Sequence, residues 1–532
     1  MPALVFRLIS AVAAIALLAG CSRALDRADL VFLNGAEPES IDPAVITGQP
    51  DGRIAYALME GLVAFDSAAK PQPGVAERWE LSPDGRIYTF HLRRDARWSN
   101  GDAVTARDFH ASWKRTLLPE TAAEYAYQLY YVRGARAFNE GKLQDFSQVG
   151  LRVIDDYTFE VTLDNPAPFF LDLCAFVTLL PVHIATIERC EKAGLNWTKP
   201  ENFIGNGAFT LKEWRLFDRI RLVKSETYWN RANIGMKSID ILPSGRPMTA
   251  FNFYSTGLAD LMADKGLAPT PLMNELKQRP DFHAAPFLGN YFMRFNCKRK
   301  PFNDVRVRLA FSLVIDKQLL VDKITRAGEI PATSLVPPGT AGYEPPPGPS
   351  RDPERARKLL AEAGFPGGQG FPIVYYLFKG DSDLDRDIAV ELQGMFAREL
   401  GVTIQLAQQE WKVYLASLSS LDYDLCRSTW VGDYADPNTF LDMFVTDGGN
   451  NRTGWSNAAY DQAIEAAARE IDPQKRFEIF RGAEKILVSD EMPICPLYYY
   501  VGIQFYDAER LGGVQSNLLD EHPLKNMYWK KR

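Results

Sequence analysis

Residues able to do covalent chemistry are present in this chain, but none falls at the spacing a reaction needs. There is no Gly-x-Ser-x-Gly turn to raise a serine nucleophile and no His-Glu-x-x-His pair for zinc. No phosphate-cradling P-loop and no Gly-x-Gly-x-x-Gly turn occur either. Of the five histidines, none sits at metal-ligand spacing with another. Asp381, Asp383 and Asp385 are spaced like the opening of a calcium loop. That loop also needs a glycine at its sixth position and a glutamate at its twelfth, and both are missing, so a solvated helix start is expected. Gly364, Gly367, Gly368 and Gly370 follow a helical pattern rather than precede one, which suits a cap and a turn better than a phosphate. Asp155 and Asp156 are paired acids, but they sit in a turn. Asp433, beside Gly432, has two readings from its residues alone: it caps a turn, or it presents a carboxylate to a cationic ligand.

Five of the six cysteines, Cys174, Cys190, Cys297, Cys426 and Cys495, are scattered without a Cys-x-x-Cys pair. Buried free thiols are expected, and no metal site. The sixth, Cys21, stands differently. Arg7 precedes an apolar run at residues 8–18, which closes on Leu18, Ala19, Gly20 and Cys21. The run is too short to span a bilayer, and its small residues suit a signal peptidase. The ending looks like a bacterial lipobox, which implies a signal peptide over residues 1–21 and lipidation at Cys21. An ordinary cleaved signal is the alternative. Either places the body outside the cytoplasm, and lipid chains would hold it at a bacterial membrane.

The body must then be folded as several domains, because 532 residues exceed what one hydrophobic core supports. Charged residues at 24% and apolar ones at 46% mark it as globular. The net charge of −7 and the lack of a long basic block argue against nucleic acid. Aromatic residues reach 12%, a supply of stiff amphipathic surface suited to gripping varied ligands or to filling large cores.

Local patterns give the elements. Alternating runs at residues 78–82 and 87–94 flank Pro83-Asp84-Gly85, a hairpin signal, and a second hairpin is expected around Asp155-Asp156. Between them lies a helix with Thr105 as N-cap and Asp108 in its first turn. Together these form a small α+β unit. Asp352-Pro353 and Asp472-Pro473 open two further helices. The strand-like runs FPIVYYLF and VTIQLA surround the helix DIAVELQGMFAREL, which predicts a parallel strand-helix-strand unit.

Several long segments resemble the extracytoplasmic oligopeptide-binding proteins of ABC importers, within the peptide/nickel/opine solute-binding family. They are EPESIDPAV from Glu37, LMEGLVAFD, the stretch Leu58–Arg115, NGAFTLKEW, PFNDVRVRLAFSLVIDKQLL, QEWKVYLASL and STWVGDYADP. The match runs colinearly from about residue 30 to the end. The resemblance implies an α/β protein with the type II-like two-lobed clamp of periplasmic binding proteins, plus an extra third α+β domain. Its implied boundaries put residues 22–59, 184–288 and 501–532 in the first lobe. Residues 60–183 form the extra domain and 289–500 the second lobe. The family is not enzymatic. It implies capture of short peptides in extended form and delivery to the transmembrane subunits of an ABC permease. A monomer without cofactor is expected.

An extended peptide offers main-chain donors and acceptors at regular spacing. A protein that binds many sequences should pair with these and leave side chains in wet pockets. It must also neutralise the free ammonium, because an unpaired buried charge is costly. By resemblance Asp433 meets that ammonium, Trp411 and Trp430 line side-chain pockets, and Arg427 meets a ligand carboxylate. An ion pair between Arg427 and a nearby acid such as Asp424 is the alternative. Val431 and Gly432 would hold the ligand main chain, and Tyr125, Tyr498 and Tyr500 are further candidates. Some relatives carry a cysteine pair where Gly289 and Val431 stand here. A family histidine aligns with Asp385, a lysine with Thr325 beside Arg326, and an early-loop glutamate with Thr47. These departures bear on ligand length and on recognition of a terminal carboxylate. Murein peptides, opines, metal chelates and oligosaccharides are the alternative ligands. A surface hydrolase or chaperone is the reading from another class.

Overall fold

The computed structural model describes residues 27–380 and 382–531. The expected signal peptide, Cys21 and Asp381 lie outside the described residues.

The small α+β unit forms as its patterns require. Ala76–Leu81 and Ile87–Leu92 pair antiparallel across the Asp84-Gly85 turn, where Gly85 takes a φ of 69°. Thr158–Thr162 joins Ile87–Leu92, and Leu151–Asp155 closes a four-stranded sheet. The helix Ala106–Leu117 begins at Thr105, whose N–H donates to the Asp108 carboxylate at 2.7 Å. Phe109, Trp113 and Leu117 recur at helical spacing and are buried, with Trp113 packed edge-on against Phe159.

The rest is organised by one eleven-stranded mixed sheet. From one edge its order is Gln405–Gln409, Tyr375–Lys379, Leu425–Val431, Phe282–Phe295, Ile494–Tyr506, Leu261–Ala263, Leu30–Leu33, Ser238–Leu242, Arg219–Lys224 and Phe209–Arg215. A short strand, Ile330–Pro331, pairs off this path. Tyr375–Lys379 and Gln405–Gln409 run parallel, joined by the helix Asp383–Leu400, as the strand-helix-strand pattern predicts. The first of these strands starts later than its apolar run, at Tyr375 rather than Phe371.

Phe282–Phe295 and Ile494–Tyr506 are the longest strands and connect the two halves of the sheet. They pair antiparallel, with a break in register between Pro286 and Asn290. Pro286 cannot donate there, and Leu288 instead donates to the Leu518 carbonyl at 2.6 Å. The expected lobe divisions at 288/289 and 500/501 fall inside these two strands. Separate apolar cores fill each half, one centred on Phe311, Ile388 and Phe396, the other on Phe32, Ile54 and Ile239. The five described cysteines are unpaired, four of them buried. No described helix is long and apolar enough to cross a membrane.

Candidate functional site

The central strand Leu425–Val431 delivers the site. Side chains alternate along it, so Arg427 and Val431 share a face that Cys426, Ser428 and Trp430 do not. Arg427 and Val431 line cavities, whereas Trp430 packs into the core beneath. The chain then turns at Gly432, whose N–H donates to the Leu288 carbonyl at 2.7 Å. A Cβ on Gly432 would lie 2.7 Å from the Leu288 side chain, so any larger residue here would have to displace it.

That turn places Asp433 against the small α+β unit. Its Oδ2 accepts hydrogen bonds from the Tyr127 hydroxyl at 3.0 Å and the Gln128 amide at 2.8 Å. Its own N–H donates to Thr439 Oγ1 at 3.2 Å. No cation stands within ion-pair distance of it among the described residues. Burial pushes the carboxyl up to about 6, and the two donors oppose that shift. The carboxylate is therefore held by neutral groups and its charge is left uncompensated.

Behind it lies a tyrosine and amide network. Asn438 donates to the Tyr434 hydroxyl at 2.9 Å and to Asp442 at 3.1 Å, and Tyr131 and Tyr434 share a bond of 2.9 Å. Phe169 stacks on Tyr434 with ring centroids 4.2 Å apart. These contacts join the small unit to the segment after the central strand, so the two walls around Asp433 are in contact.

Asp433, Gly432, Val431 and Tyr125 line a cavity of about 310 Å³, together with Thr47 and Lys265. Arg427, Tyr498 and Tyr500 line a wider cleft of about 1310 Å³, to which Lys265 also contributes. Tyr498 and Tyr500 share a face of the strand Ile494–Tyr506, while Tyr499 points away and donates to the Ser334 carbonyl at 2.9 Å. The Tyr498 hydroxyl is buried with no partner among the described residues.

Several expectations change. Arg427 pairs with Asp385 at 3.1 Å, not with Asp424, which accepts from Arg299 at 3.2 Å and from the Tyr375 N–H at 2.9 Å. Asp385 is not solvated: it is 2% exposed and also accepts from the Tyr291 hydroxyl at 3.0 Å. The helix does begin there, with Ser382 as N-cap, but the third position of its first turn faces inward. Trp411 lies outside both cavities, 45% exposed at a helix start and stacked on Tyr414. Trp430 is also outside both, for the parity reason given above. Gly289 and Val431 are direct cross-strand partners, and a Cβ on Gly289 would lie 3.0 Å from the Tyr500 ring. Thr325 donates to Glu329 at 2.7 Å and lines the wider cleft.

Tyr127, Gln128 and Lys265 escaped the sequence reading. The run of tyrosines from Tyr125 to Tyr131 was the only signal for the first two. Lys265 follows a short strand in a turn and has no motif. No group of three or more His, Cys, Asp or Glu among the described residues is placed to hold a metal.

A sheet shared by two halves, with a cavity and an uncompensated carboxylate between them, fits a clamp-type solute-binding protein. The chain belongs to the bacterial extracellular solute-binding proteins, family 5, whose family model (the "Middle" region) matches residues 70–452. It is 36% identical over 513 residues to the periplasmic oligopeptide-binding protein OppA of Escherichia coli K12, covering 94% of this chain and 93% of that protein. Among solved structures, the Escherichia coli murein tripeptide binding protein MppA superposes with a TM-score of 0.82 at 34% identity, over 95% of this chain and 99% of that one. An oligopeptide-binding protein from Borrelia burgdorferi, OppAIV, gives a TM-score of 0.82 at 31% identity, over 95% of this chain and 100% of the other.

Proposed function

We propose that this protein captures short peptides in extended form, with the ligand's N-terminal ammonium on Asp433, and delivers them to the transmembrane subunits of an ABC permease. The observation that carries this reading is the Asp433 carboxylate, buried, bonded among the described residues only by Tyr127 and Gln128, and facing a cavity in which no cation stands within ion-pair distance of it. An ammonium is the ligand group that completes it, since a buried lone charge is costly and a charge-assisted pair offsets that cost. Val431 and Gly432 border the same cavity, where the ligand main chain would lie, and Tyr125 forms part of its wall. The relatives named for oligopeptides and murein tripeptide support a ligand with a free amine.

Binding in this reading is a clamp closure, in which the two halves of the sheet turn about the strands Phe282–Phe295 and Ile494–Tyr506. The first lobe then comprises residues 22–59, 184–288 and 501–532, the second 289–500, and residues 60–183 ride as the extra domain. The body works as a monomer in the periplasm or its extracytoplasmic equivalent, held to a membrane through lipid on Cys21.

Titration calorimetry with a tripeptide and its N-acetylated form tests the reading. The free-amine form is expected to bind about 10- to 100-fold more tightly. Equal affinity of the two forms removes the amine from the mechanism. Mass spectrometry of small molecules that co-purify separates peptides from opines, metal chelates and neutral sugars.

A further inference from the structure

Lys265 is a charged group that the amine site does not use. It opens the turn after the strand Leu261–Ala263, and its ammonium lies 3.3 Å from the centroid of the Tyr500 ring and 4.7 Å from that of Phe287. Two ring faces hold a cation in place but accept none of its three hydrogen bonds. It borders the Asp433 cavity on one side and the Arg427 cleft on the other.

Three acids whose charges act on it, Asp264, Glu329 and Asp520, are engaged elsewhere. Asp264 pairs with Arg53 at 3.2 Å and accepts from the Gly266 N–H at 2.8 Å. Glu329 accepts from Thr325 at 2.7 Å and from the Ala327 N–H at 2.9 Å. Asp520 accepts from Gln504 at 2.5 Å, and His522 Nε2 lies 3.1 Å from it. Glu521 lines the small cavity, yet no ion pair joins it to Lys265, and burial pushes its carboxyl up to about 7. Arg427, the cation that the family resemblance assigns to a ligand carboxylate, is already neutralised by Asp385. Burial also pulls the Lys265 ammonium down to about 8, the direction expected of a cation short of anionic partners.

Resting on the peptide reading above, we propose that Lys265 receives the ligand's terminal carboxylate, so that this protein prefers short zwitterionic peptides whose two ends lie in one cavity. The cavity of about 310 Å³ has two acids, Asp433 and Glu521, and one cation, Lys265, in its wall. Its volume is at the small end of ligand pockets. Arg427, held by Asp385, becomes part of the wall rather than the carboxylate receiver.

The test compares a di- or tripeptide with its C-terminal amide and its N-acetylated form. Each is titrated by calorimetry into the full chain, into Lys265→Met and into Lys265→Arg. The wild type is expected to bind the acid about 10- to 100-fold more tightly than the amide. Lys265→Met should bind acid and amide alike while still preferring the free amine, and Lys265→Arg should restore most of the difference. Unchanged thermal unfolding of the variants shows that folding is intact. If Lys265→Met still discriminates fully between acid and amide, or if the wild type never does, this proposal is overturned while the amine reading stands. If acetylation costs nothing, or no peptide binds, the reading beneath it falls too.

Discussion

Asp433 and Asp436 stand three residues apart on one loop and have opposite surroundings. Arg476 meets Asp436 with two bonds, at 2.7 and 2.9 Å, and both side chains are buried. Asp433 receives only the neutral donors Tyr127 and Gln128. The chain supplies a cation to Asp436 and, among the described residues, none within ion-pair distance of Asp433.

Asp436→Ala therefore tests the structural half of this pair. It strands the Arg476 guanidinium against Phe480, 4.6 Å from its ring centroid, with little access to water. Removing one partner of a buried pair costs about 3–5 kcal/mol. Urea unfolding should show a loss of that size. A loss under about 1 kcal/mol would mean the pair is solvated.

The Asp385–Arg427 pair predicts a gain and a loss together. Asp385→Asn leaves Arg427 cationic and unpaired in the wide cleft. The variant should lose about 3 kcal/mol in unfolding experiments. It should also gain affinity, about tenfold, for longer peptides with a free carboxylate that reaches this cleft. A gain shared equally by their C-terminal amides would show that the ligand carboxylate is not what Arg427 meets.

Acid pH should weaken capture. Burial holds the Asp433 carboxyl up to about 6, and Asp442 behind it is pushed to about 7 by burial and then by the Asp433 charge. A carboxyl raised on folding favours the unliganded fold most at low pH, and that contribution falls as pH rises through about 6. Binding an ammonium has the opposite sign, because it needs the carboxylate. Affinity for a free-amine peptide should fall about tenfold from pH 7 to pH 5, with little change for the N-acetylated form. Calorimetry across that range checks it, and a flat profile for both ligands contradicts it.

Much of the fold was legible because its signals are local. The Asp84-Gly85 hairpin, the Thr105 and Asp108 helix start and the parallel strand-helix-strand unit each depend on residues within one or two turns of each other. The position of Trp430 was also legible in principle, since it shares strand parity with Cys426 and Ser428 and opposes Arg427 and Val431. The walls of the site were not. Tyr127 meets Asp433 across 306 positions of sequence, and no periodicity reports such a contact. Asp385 read as solvated because helix starts favour acids. Its burial depends on Arg427 and Tyr291, which arrive from other strands. Lys265 becomes significant only when its neighbours' carboxylates are seen to be engaged.

The most direct measurement is calorimetry of wild type and Asp433→Asn with one tripeptide, free and N-acetylated, at about neutral pH. The substitution keeps shape and removes charge, so it should weaken the free-amine peptide by about 10- to 100-fold and barely affect the acetylated one. It should also leave the unliganded protein as stable as wild type or about 1–3 kcal/mol more so, because a carboxylate ionised at a cost is gone. Equal losses for both peptides, with stability unchanged, would contradict the assignment of Asp433 to the ligand's ammonium.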